Sequence, residues 1–278
     1  MKIFGIRPYF AVKREGIRVF SRHKILHQLG QGIVAGLSVK DTAEIGKIDI
    51  LVGCHDAFYF FNRGAKLRVG IQTEQFFDKS GNELWGMLKK PKTIKRLLTN
   101  LSRVDVMLDI NNSNRHWWDT QNLSPRDRAK LHYGPYIFPS EAREFKESLG
   151  GANLFFGDLG GRRKKVVQAL VGTKVTVLPR GTYGKKLERE LDQSATVVNI
   201  HFDEGVYTEA PRLLTSYLAG KPVISEILDE PFIEGIHYLG LENFKSDKLE
   251  EVYCAFSKLV TEKLSFASFI HSTLHIRR

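Results

Sequence analysis

The chain has 278 residues, of which 42% are hydrophobic and 26% are charged, fractions that are typical of globular proteins and exclude a disordered chain. Lysine and arginine number 42 against 31 aspartates and glutamates, giving a net charge of +11 at pH 7, and such a surface attracts phosphate groups on nucleotides, nucleic acids or lipids. Two cysteines are too few for a disulfide framework or a four-thiolate zinc site. No apolar run is long enough to span a bilayer, so we expect a cytoplasmic protein.

Short β-rich runs alternate with amphipathic stretches in the first half of the chain. The predicted strands are Lys2–Arg7, Gly32–Leu37, Asp49–Gly53, Leu67–Gln72, Val104–Asp109 and Tyr136–Pro139. The predicted helices lie near Ile17–Leu29, Asp56–Asn62 and Ile94–Leu101. Strands that alternate with helices are typical of βαβ units and a parallel sheet.

The same pattern restarts after a glycine-containing linker at Ser148–Gly151. The predicted strands are Asn153–Gly157, Lys174–Leu178, Thr196–His201 and Pro222–Ser225, and the predicted helices are Arg162–Val171, Lys185–Leu191, Ala210–Ala219 and Lys248–Leu264. We therefore predict an α/β fold with two Rossmann-like domains, residues 1–150 and 151–278, facing each other across a cleft. Ligands of open α/β sheets bind beyond the carboxyl ends of the strands.

A glycine-rich turn that ends in basic residues follows the first strand of the second domain. It reads Gly157-Asp158-Leu159-Gly160-Gly161-Arg162-Arg163. Glycines let backbone N–H groups approach an anion, and the N-terminus of the following helix favours negative charge. Arginine is unfavourable at that end of a helix unless an anion is bound. The turn thus predicts phosphate binding by Gly157, Gly160, Arg162 and Arg163, with a solvent-facing turn as the alternative.

Polar and charged residues also gather between the strand that ends at His201 and the helix that begins at Ala210. The candidates for ligand binding are His201, Tyr207, Thr208, Glu209 and Arg212. Thr208 is a suitable N-cap, but capping does not require Glu209 and Arg212 at this place. A carboxylate accepts hydrogen bonds from both ribose hydroxyls, and an arginine neutralises a diphosphate.

The segment from Thr208 to Ile224 resembles the nucleotide-sugar-binding half of GT-B glycosyltransferases of the group-1 type, which include the CgeB-like proteins. The resemblance rests on Thr208, Glu209, Arg212 and the helix end Ala219-Gly220-Lys221-Pro222-Val223-Ile224, together with the glycine turn, and it covers about residues 153–240. One departure concerns the two glutamates that retaining members carry, because their positions fall on Tyr207 and Thr215.

The resemblance implies a glycosyltransferase that moves a sugar from a nucleotide-diphosphate sugar to a glycan or lipid-linked saccharide, as in polysaccharide biosynthesis. The nucleobase would meet the turn that contains Arg180 and Gly181, the ribose would meet Glu209, and the diphosphate would meet the glycine turn and Arg212. No cofactor is implied, since the nucleotide sugar is a substrate. Positive charge rather than a metal ion would stabilise the departing diphosphate.

Two segments at predicted strand ends of the first domain supply candidates for a general base. Gly53-Cys54-His55-Asp56 follows one strand, and Gln72-Thr73-Glu74-Gln75 follows the next. A histidine beside an aspartate suits proton abstraction from a sugar hydroxyl. His55, Asp56 and Glu74 are therefore the predicted catalytic residues, with a helix-capping loop and a solvated glutamate as the alternatives.

Two further features have a structural and a functional interpretation. Trp117 and Trp118 either pack in the core, which we favour, or stack on sugar rings. A basic run beside Trp85, Met87 and Leu88 either forms a solvated face or binds an anionic membrane at its inner surface, where lipid-linked acceptors lie. The run consists of Lys89, Lys90, Lys92, Lys95 and Arg96.

Two other functions compete with glycosyl transfer. A non-catalytic sugar-nucleotide-binding protein would fit the missing glutamate pair. A basic nucleic-acid-binding protein would fit the net charge, but the basic residues are scattered and no helix-turn-helix, RNA-recognition or zinc pattern accompanies them, so nucleic acid is disfavoured as a partner.

Overall fold

Parallel β-strands form the centre of both halves of the chain. The computed structural model describes residues 10–14, 16–37, 47–58, 64–84, 86–148, 150–170, 175–242 and 247–276. The chain divides into two compact units, of which the first combines residues 1–140 with 263–278 and the second comprises residues 141–262. The sequence placed its boundary at residue 150 and assigned everything after it to the second domain.

The first unit contains a six-stranded sheet in the order β1-β2-β3-β4-β5-β6. Its strands are β1 (Phe10–Arg14), β2 (Ile17–Ser21), β3 (Ile48–Val52), β4 (Leu67–Gln72), β5 (Val106–Asp109) and β6 (Leu131–Tyr133). β1 is antiparallel to β2, and all other neighbours are parallel. β3 and β5 are buried along their whole length, as expected for strands covered on both faces.

Four helices described between residues 24 and 128 belong to this unit. They are α1 (Lys24–Ala35), α2 (Pro91–Arg103), α3 (Arg115–Thr120) and α4 (Pro125–Arg128). Trp117 and Trp118 of α3 are 6% and 0% exposed and belong to the core cluster that also contains Phe76 and Met107. The packing interpretation of the two tryptophans is therefore confirmed.

The second unit contains a five-stranded parallel sheet in the order β11-β10-β9-β7-β8. The strands are β7 (Asn153–Phe155), β8 (Val175–Val177), β9 (Thr196–Asn199), β10 (Val223–Ser225) and β11 (Leu239–Gly240), and the helices are α5 (Arg162–Ala169), α6 (Lys185–Gln193), α7 (Ala210–Leu218) and α8 (Leu249–Lys263). Strand β8 lies on one side of β7, and β9, β10 and β11 lie in that order on its other side. The strand order therefore reverses between β7 and β9, which is where doubly wound sheets bind ligands.

Helix α9 (Phe266–Ile276) follows α8 and belongs to the first unit. Backbone bonds tie its start to that unit, because the Phe266 N–H donates to the carbonyl of Phe138 at 2.8 Å. The ring of Phe269 stacks on Tyr136 at 5.7 Å and meets His132 edge-on. Within the described residues, no helix has both the length and the apolar character needed to cross a membrane.

Three predicted elements of the first half are wrong. The predicted helix Ile17–Leu29 begins instead as strand β2, because Ile17 and Val19 are buried at alternate positions. The predicted strand Gly32–Leu37 is the end of α1, whose buried residues recur at helical spacing. Residues Tyr136–Pro139 form no strand, since the N–H groups of Tyr136 and Ile137 bond two residues back along the chain.

Other predicted elements are present with small changes of boundary. Those of the second half agree to within two residues over the described part, which omits Val171 and Lys174. The predicted strand Lys2–Arg7 and the end of the predicted helix Asp56–Asn62 lie outside the described residues, and residues 56–58 are not helical.

Candidate functional site

The glycine turn after β7 lies at the point where the strand order of the second sheet reverses. Gly157 has a φ of +121°, and Gly161, the N-cap of α5, has a φ of +57°. These dihedral angles favour glycine. A Cβ atom on Gly157 would lie 3.2 Å from Nη2 of Arg212, so the absence of a side chain lets the backbone approach the guanidinium group.

Glu209 is held between two buried arginines. Its Oε1 lies 2.5 Å from Nη2 of Arg163, and its Oε2 lies 2.7 Å from Nη1 of Arg212. Both arginine side chains are 8% exposed and Glu209 is 15% exposed. Burial alone would raise the pKa of the Glu209 carboxyl, but the charges of Arg212 and Arg163 outweigh burial and hold that pKa below its ordinary value.

Arg163 and Arg212 differ in which of their guanidinium N–H groups already form hydrogen bonds. Arg163 also donates from Nε to the carbonyl of Ile200 at 2.9 Å and from Nη1 to the carbonyl of Asp158 at 3.1 Å. Arg212 donates from Nη1 to Oδ1 of Asn199 at 2.6 Å, whereas its buried Nε has no partner. Within the described residues its Nη2 makes no hydrogen bond either. Arg212 therefore keeps donors for an anion beside Gly157.

A second ion pair joins the glycine turn to β10. Arg162 forms a two-pronged bond to Glu226, whose Oε2 lies 2.9 Å from Nη1. The same Oε2 accepts the N–H of His201 at 2.7 Å. Burial would raise the pKa of Glu226, but the hydrogen bond from Arg162 and the N–H of His201 keep it below its ordinary value. Three guanidinium groups thus face the carboxylates of Glu209 and Glu226, and the exposed Glu204 adds a third carboxylate 4.0 Å from Nε of Arg162.

His201 and Tyr207 lie at the edge of this cluster. Their rings stack with centroids 4.1 Å apart. Burial lowers the pKa of His201, so its imidazole is neutral, and Nδ1 donates to the carbonyl of Gly205 at 3.0 Å. Nε2 is then a buried acceptor without a partner. Tyr207 is fully buried and bonds through its hydroxyl to the backbone of Asp203, so it supports the loop.

The structure places the remaining predicted residues of the second unit as follows. Thr208 is not the N-cap of α7, which is Glu209. The Thr208 hydroxyl instead accepts the N–H of Asp229 at 3.2 Å, because the loop after β10 packs against it.

Arg180 is 81% exposed and contacts the glycine turn through Asp158, whose Oδ2 lies 3.5 Å from Nη1 of Arg180. Gly181 has a φ of +86° in the turn after β8, and Gly160 donates its N–H to Oδ1 of Asp158.

In the first unit, His55 contacts Glu74, and Asp56 does not join them. The distance from His55 Nε2 to Glu74 Oε1 is 3.5 Å, and Nδ1 of the histidine lies 3.1 Å from Oε1 of Gln72. Asp56 instead pairs with Arg22 at 3.2 Å and with His23 at 2.8 Å. The two predicted strand ends therefore come together, but the histidine takes its carboxylate from the neighbouring strand.

Asp109, at the end of β5, was not among the site residues predicted from the sequence. It is fully buried and accepts hydrogen bonds from Nε1 of Trp118 at 2.9 Å, from Nδ2 of Asn114 at 3.0 Å and from the N–H of Asn111 at 3.1 Å. Burial raises its pKa to about 7, although these hydrogen bonds oppose the rise. An aspartate that ends the apolar run Val106-Met107-Leu108 was the available signal.

The basic run before and within α2 is mostly exposed. Lys89, Lys90, Lys92 and Lys95 are exposed, while Leu88 packs against the core cluster of the first unit. Trp85 and the side chain of Met87 lie outside the described residues. These positions are those of a solvated helix face, and membrane binding by the run stays a prediction.

No protein-family model matches the chain, and a search of curated proteins found no match. The functional interpretation therefore rests on the residues at the strand ends of each unit. In the second unit these are Glu209 and its two arginines, and in the first unit they are His55 and Glu74.

Proposed function

We propose that the protein is a glycosyltransferase that uses a nucleotide-diphosphate sugar as donor and a glycan or lipid-linked saccharide as acceptor, without a metal ion. The observation that carries the proposal is the pair of unused donors of buried Arg212, beside Gly157 where the strand order reverses. A GT-B arrangement of two Rossmann-like domains is part of this proposal.

The proposed reaction places the developing negative charge on the diphosphate. The acceptor oxygen forms a bond to the anomeric carbon, and the bond from that carbon to the diphosphate oxygen breaks with its electron pair going to the diphosphate. Arg212 is already oriented by Asn199 and Glu209, so it stabilises this charge without reorganising. The N-terminus of α5 adds backbone N–H donors to the same place.

The groups around this anion site are the proposed binding partners of the nucleoside. Each Glu209 oxygen accepts from one arginine, and a carboxylate offers about four lone-pair sites, so the carboxylate retains capacity for ribose hydroxyls. The unpartnered Nε2 of His201 is a further acceptor. The turn with Arg180 and Gly181 remains the proposed contact of the nucleobase.

A non-catalytic sugar-nucleotide-binding protein is the second candidate. Tyr207 and Thr215 occupy the places of the family's two glutamates, and neither side chain points to catalysis: the Tyr207 hydroxyl bonds to the backbone of Asp203, and the Thr215 hydroxyl bonds to the carbonyl of Pro211 at 2.9 Å. Turnover of a nucleotide sugar with an acceptor extract separates this candidate from the transferase.

Thermal-shift measurements with UDP-, GDP-, ADP- and dTDP-sugars test the binding step, with a CMP-sugar, which carries a single phosphate, as the comparison. At about a hundredfold excess over Kd, we expect one nucleotide class to raise the Tm by about 5 °C. Gly157→Val should remove the rise, because a side chain there meets Arg212 Nη2 and requires an unfavourable φ. Arg189→Lys, on an exposed position of α6, is the matched control and should keep it. A wild-type protein that responds to none of these nucleotide sugars would contradict the proposal.

A further inference from the structure

An open pocket of about 640 Å³ lies at the amino ends of three neighbouring parallel strands of the first unit. Arg68 lines it at the start of β4, Asp105 lies just before β5, and Lys130 lies just before β6. Thr273 of α9 also lines this space, which we call the amino-end pocket. Its volume is usual for a small-molecule site, roughly 300–1,000 Å³. It lies at the opposite edge of the sheet from the strand ends that carry the predicted catalytic residues.

Two of the three arginine and lysine side chains in the amino-end pocket are already paired with carboxylates. Arg68 donates from Nε and Nη2 to the two carboxylate oxygens of Asp105, at 2.7 and 2.6 Å. Nζ of Lys130 donates to Oδ1 of Asp127 at 2.8 Å and to the carbonyl of Leu101 at 2.9 Å. The hydrogen bond from Lys130 holds the pKa of Asp127 below its ordinary value. These two pairs therefore contribute no net charge and hold the wall of the pocket in one arrangement.

Arg126 of α4 is the third cation, and its charge is not balanced in this way. It lines the pocket and is exposed, and in the described part of the chain its guanidinium group forms no hydrogen bond or ion pair. Its charge helps Lys130 to lower the pKa of Asp127, but the two side chains are not in contact. A guanidinium group presents its N–H donors in a planar fork that fits two oxygens of a phosphate. Arg126 therefore supplies the pocket with a positive charge and with donors for an anion.

The net charge of the first unit favours anions as well. Residues 1–140 and 263–278 contain 26 lysines and arginines against 12 aspartates and glutamates, a net charge of +14. Residues 141–262 contain 16 against 19, a net charge of −3. The positive excess of the chain thus lies entirely in the unit that contains the amino-end pocket. A dianion is attracted to a fixed charge about twice as strongly as a monoanion, and a phosphate monoester carries about −1.5 to −2 at pH 7.

A hydrogen-bond acceptor lines the same pocket. Ser102, which is exposed at the end of α2, donates its hydroxyl to the carbonyl of Thr99 at 2.8 Å. Because that proton is used, the Ser102 oxygen is left as an acceptor. Such an acceptor binds a hydroxyl group of a ligand, which inorganic phosphate in its dianionic form supplies less well than a phosphorylated polyol does.

We infer that the amino-end pocket binds a small phosphate monoester that also carries hydroxyl groups. The phosphate oxygens accept N–H groups of Arg126, and a ligand hydroxyl donates to Ser102. Because Thr273 of α9 lines the pocket together with the strand ends, the bound ligand also ties α9 to the sheet of its own unit. The inference does not depend on the proposed glycosyl transfer, since it uses no residue of the second unit.

Hydrogen–deuterium exchange on the full chain tests this binding and locates it. The probes are ribose 5-phosphate and glycerol 3-phosphate, with gluconate as the carboxylate comparison and inorganic phosphate as the comparison without a polyol. We expect both esters to slow exchange in residues 101–106, 126–132 and 270–274. Arg126→Ala should weaken this binding about tenfold or more, since hydrogen bonds to a charged group are lost. Arg128→Ala, on the same helix, is the matched control and should bind normally, because Arg128 pairs with Asp119 at 3.1 Å.

One further variant separates the amino-end pocket from the nucleotide site. Arg212→Lys should keep the protection of the first unit by both esters, whatever its response to nucleotide sugars. The inference is overturned if neither ester protects the first unit, if Arg126→Ala binds normally, or if Arg128→Ala weakens binding as strongly. It is also overturned if gluconate or inorganic phosphate binds as tightly as the esters, or if Arg212→Lys loses the protection.

Discussion

Replacing Glu209 with leucine is expected to lower the free energy of unfolding by about 3–5 kcal/mol, the cost of breaking a buried ion pair by removing one partner. The reason is that Arg163 and Arg212 are each 8% exposed and share this carboxylate. Without it, two like charges remain buried in the second unit. Urea unfolding followed by circular dichroism measures the loss.

Adding inorganic pyrophosphate tests whether the missing carboxylate is the cause of this loss of stability. It should raise the Tm of Glu209→Leu more than that of the wild type, because an anion then replaces the missing carboxylate between the two guanidinium groups. Glu190→Leu, at a partly exposed position of α6, is the control and should show neither effect. Unchanged stability of Glu209→Leu would mean that the buried carboxylate does not hold the two arginines together.

The first unit is expected to lose stability as the pH rises from about 4 to about 7, by up to about 4 kcal/mol from Asp109 alone. The pKa of its carboxyl is about 7 in the folded chain, against an ordinary value of 3.8. Between these values the folded state holds a proton that the unfolded state has released, so deprotonation favours unfolding. The contribution is fully present below the unfolded pKa and is lost as the pH rises through the folded one.

Tryptophan fluorescence reports on this transition, because all three tryptophans lie within residues 1–140. Urea midpoints measured at pH 5, 6, 7 and 8 should fall for the wild type and fall less for Asp109→Asn, which has no carboxyl to titrate. Asp119→Asn, at a residue whose side chain is 57% exposed, should follow the wild type. Parallel curves for wild type and Asp109→Asn would contradict the assignment.

The alternation of strands and helices was predicted well where each element has one clear period. The second half shows this, since its strands are short, apolar and separated by glycine turns. The first half failed between residues 17 and 37, because Ile17–Ser21 is a strand that leads after two residues into α1. No glycine or proline interrupts residues 17–29, so the sequence does not mark where a period of two becomes a period of 3.6.

Site residues were predictable where strand ends determine their position. The glycine turn, Arg163, Glu209 and Arg212 meet because parallel strands β7 and β9 are neighbours and end at one edge. The partner of His55 was not predictable from adjacency in the sequence, since Asp56 turns toward Arg22 and Glu74 arrives from the next strand. Asp109 was missed because the cost of burying a carboxyl depends on the tertiary environment that Trp118 and Asn114 create.

The return of residues 263–278 to the first unit has a consequence for synthesis on the ribosome. Residues 141–262 are contiguous and include every strand of their sheet, so this unit has its full set of strands as soon as it emerges. The earlier-made unit still lacks the segment whose Phe266 bonds to Phe138 and whose Phe269 stacks on Tyr136. The order of completion is therefore the reverse of the order of translation, and until α9 emerges the nascent first unit exposes apolar surface that chaperones bind.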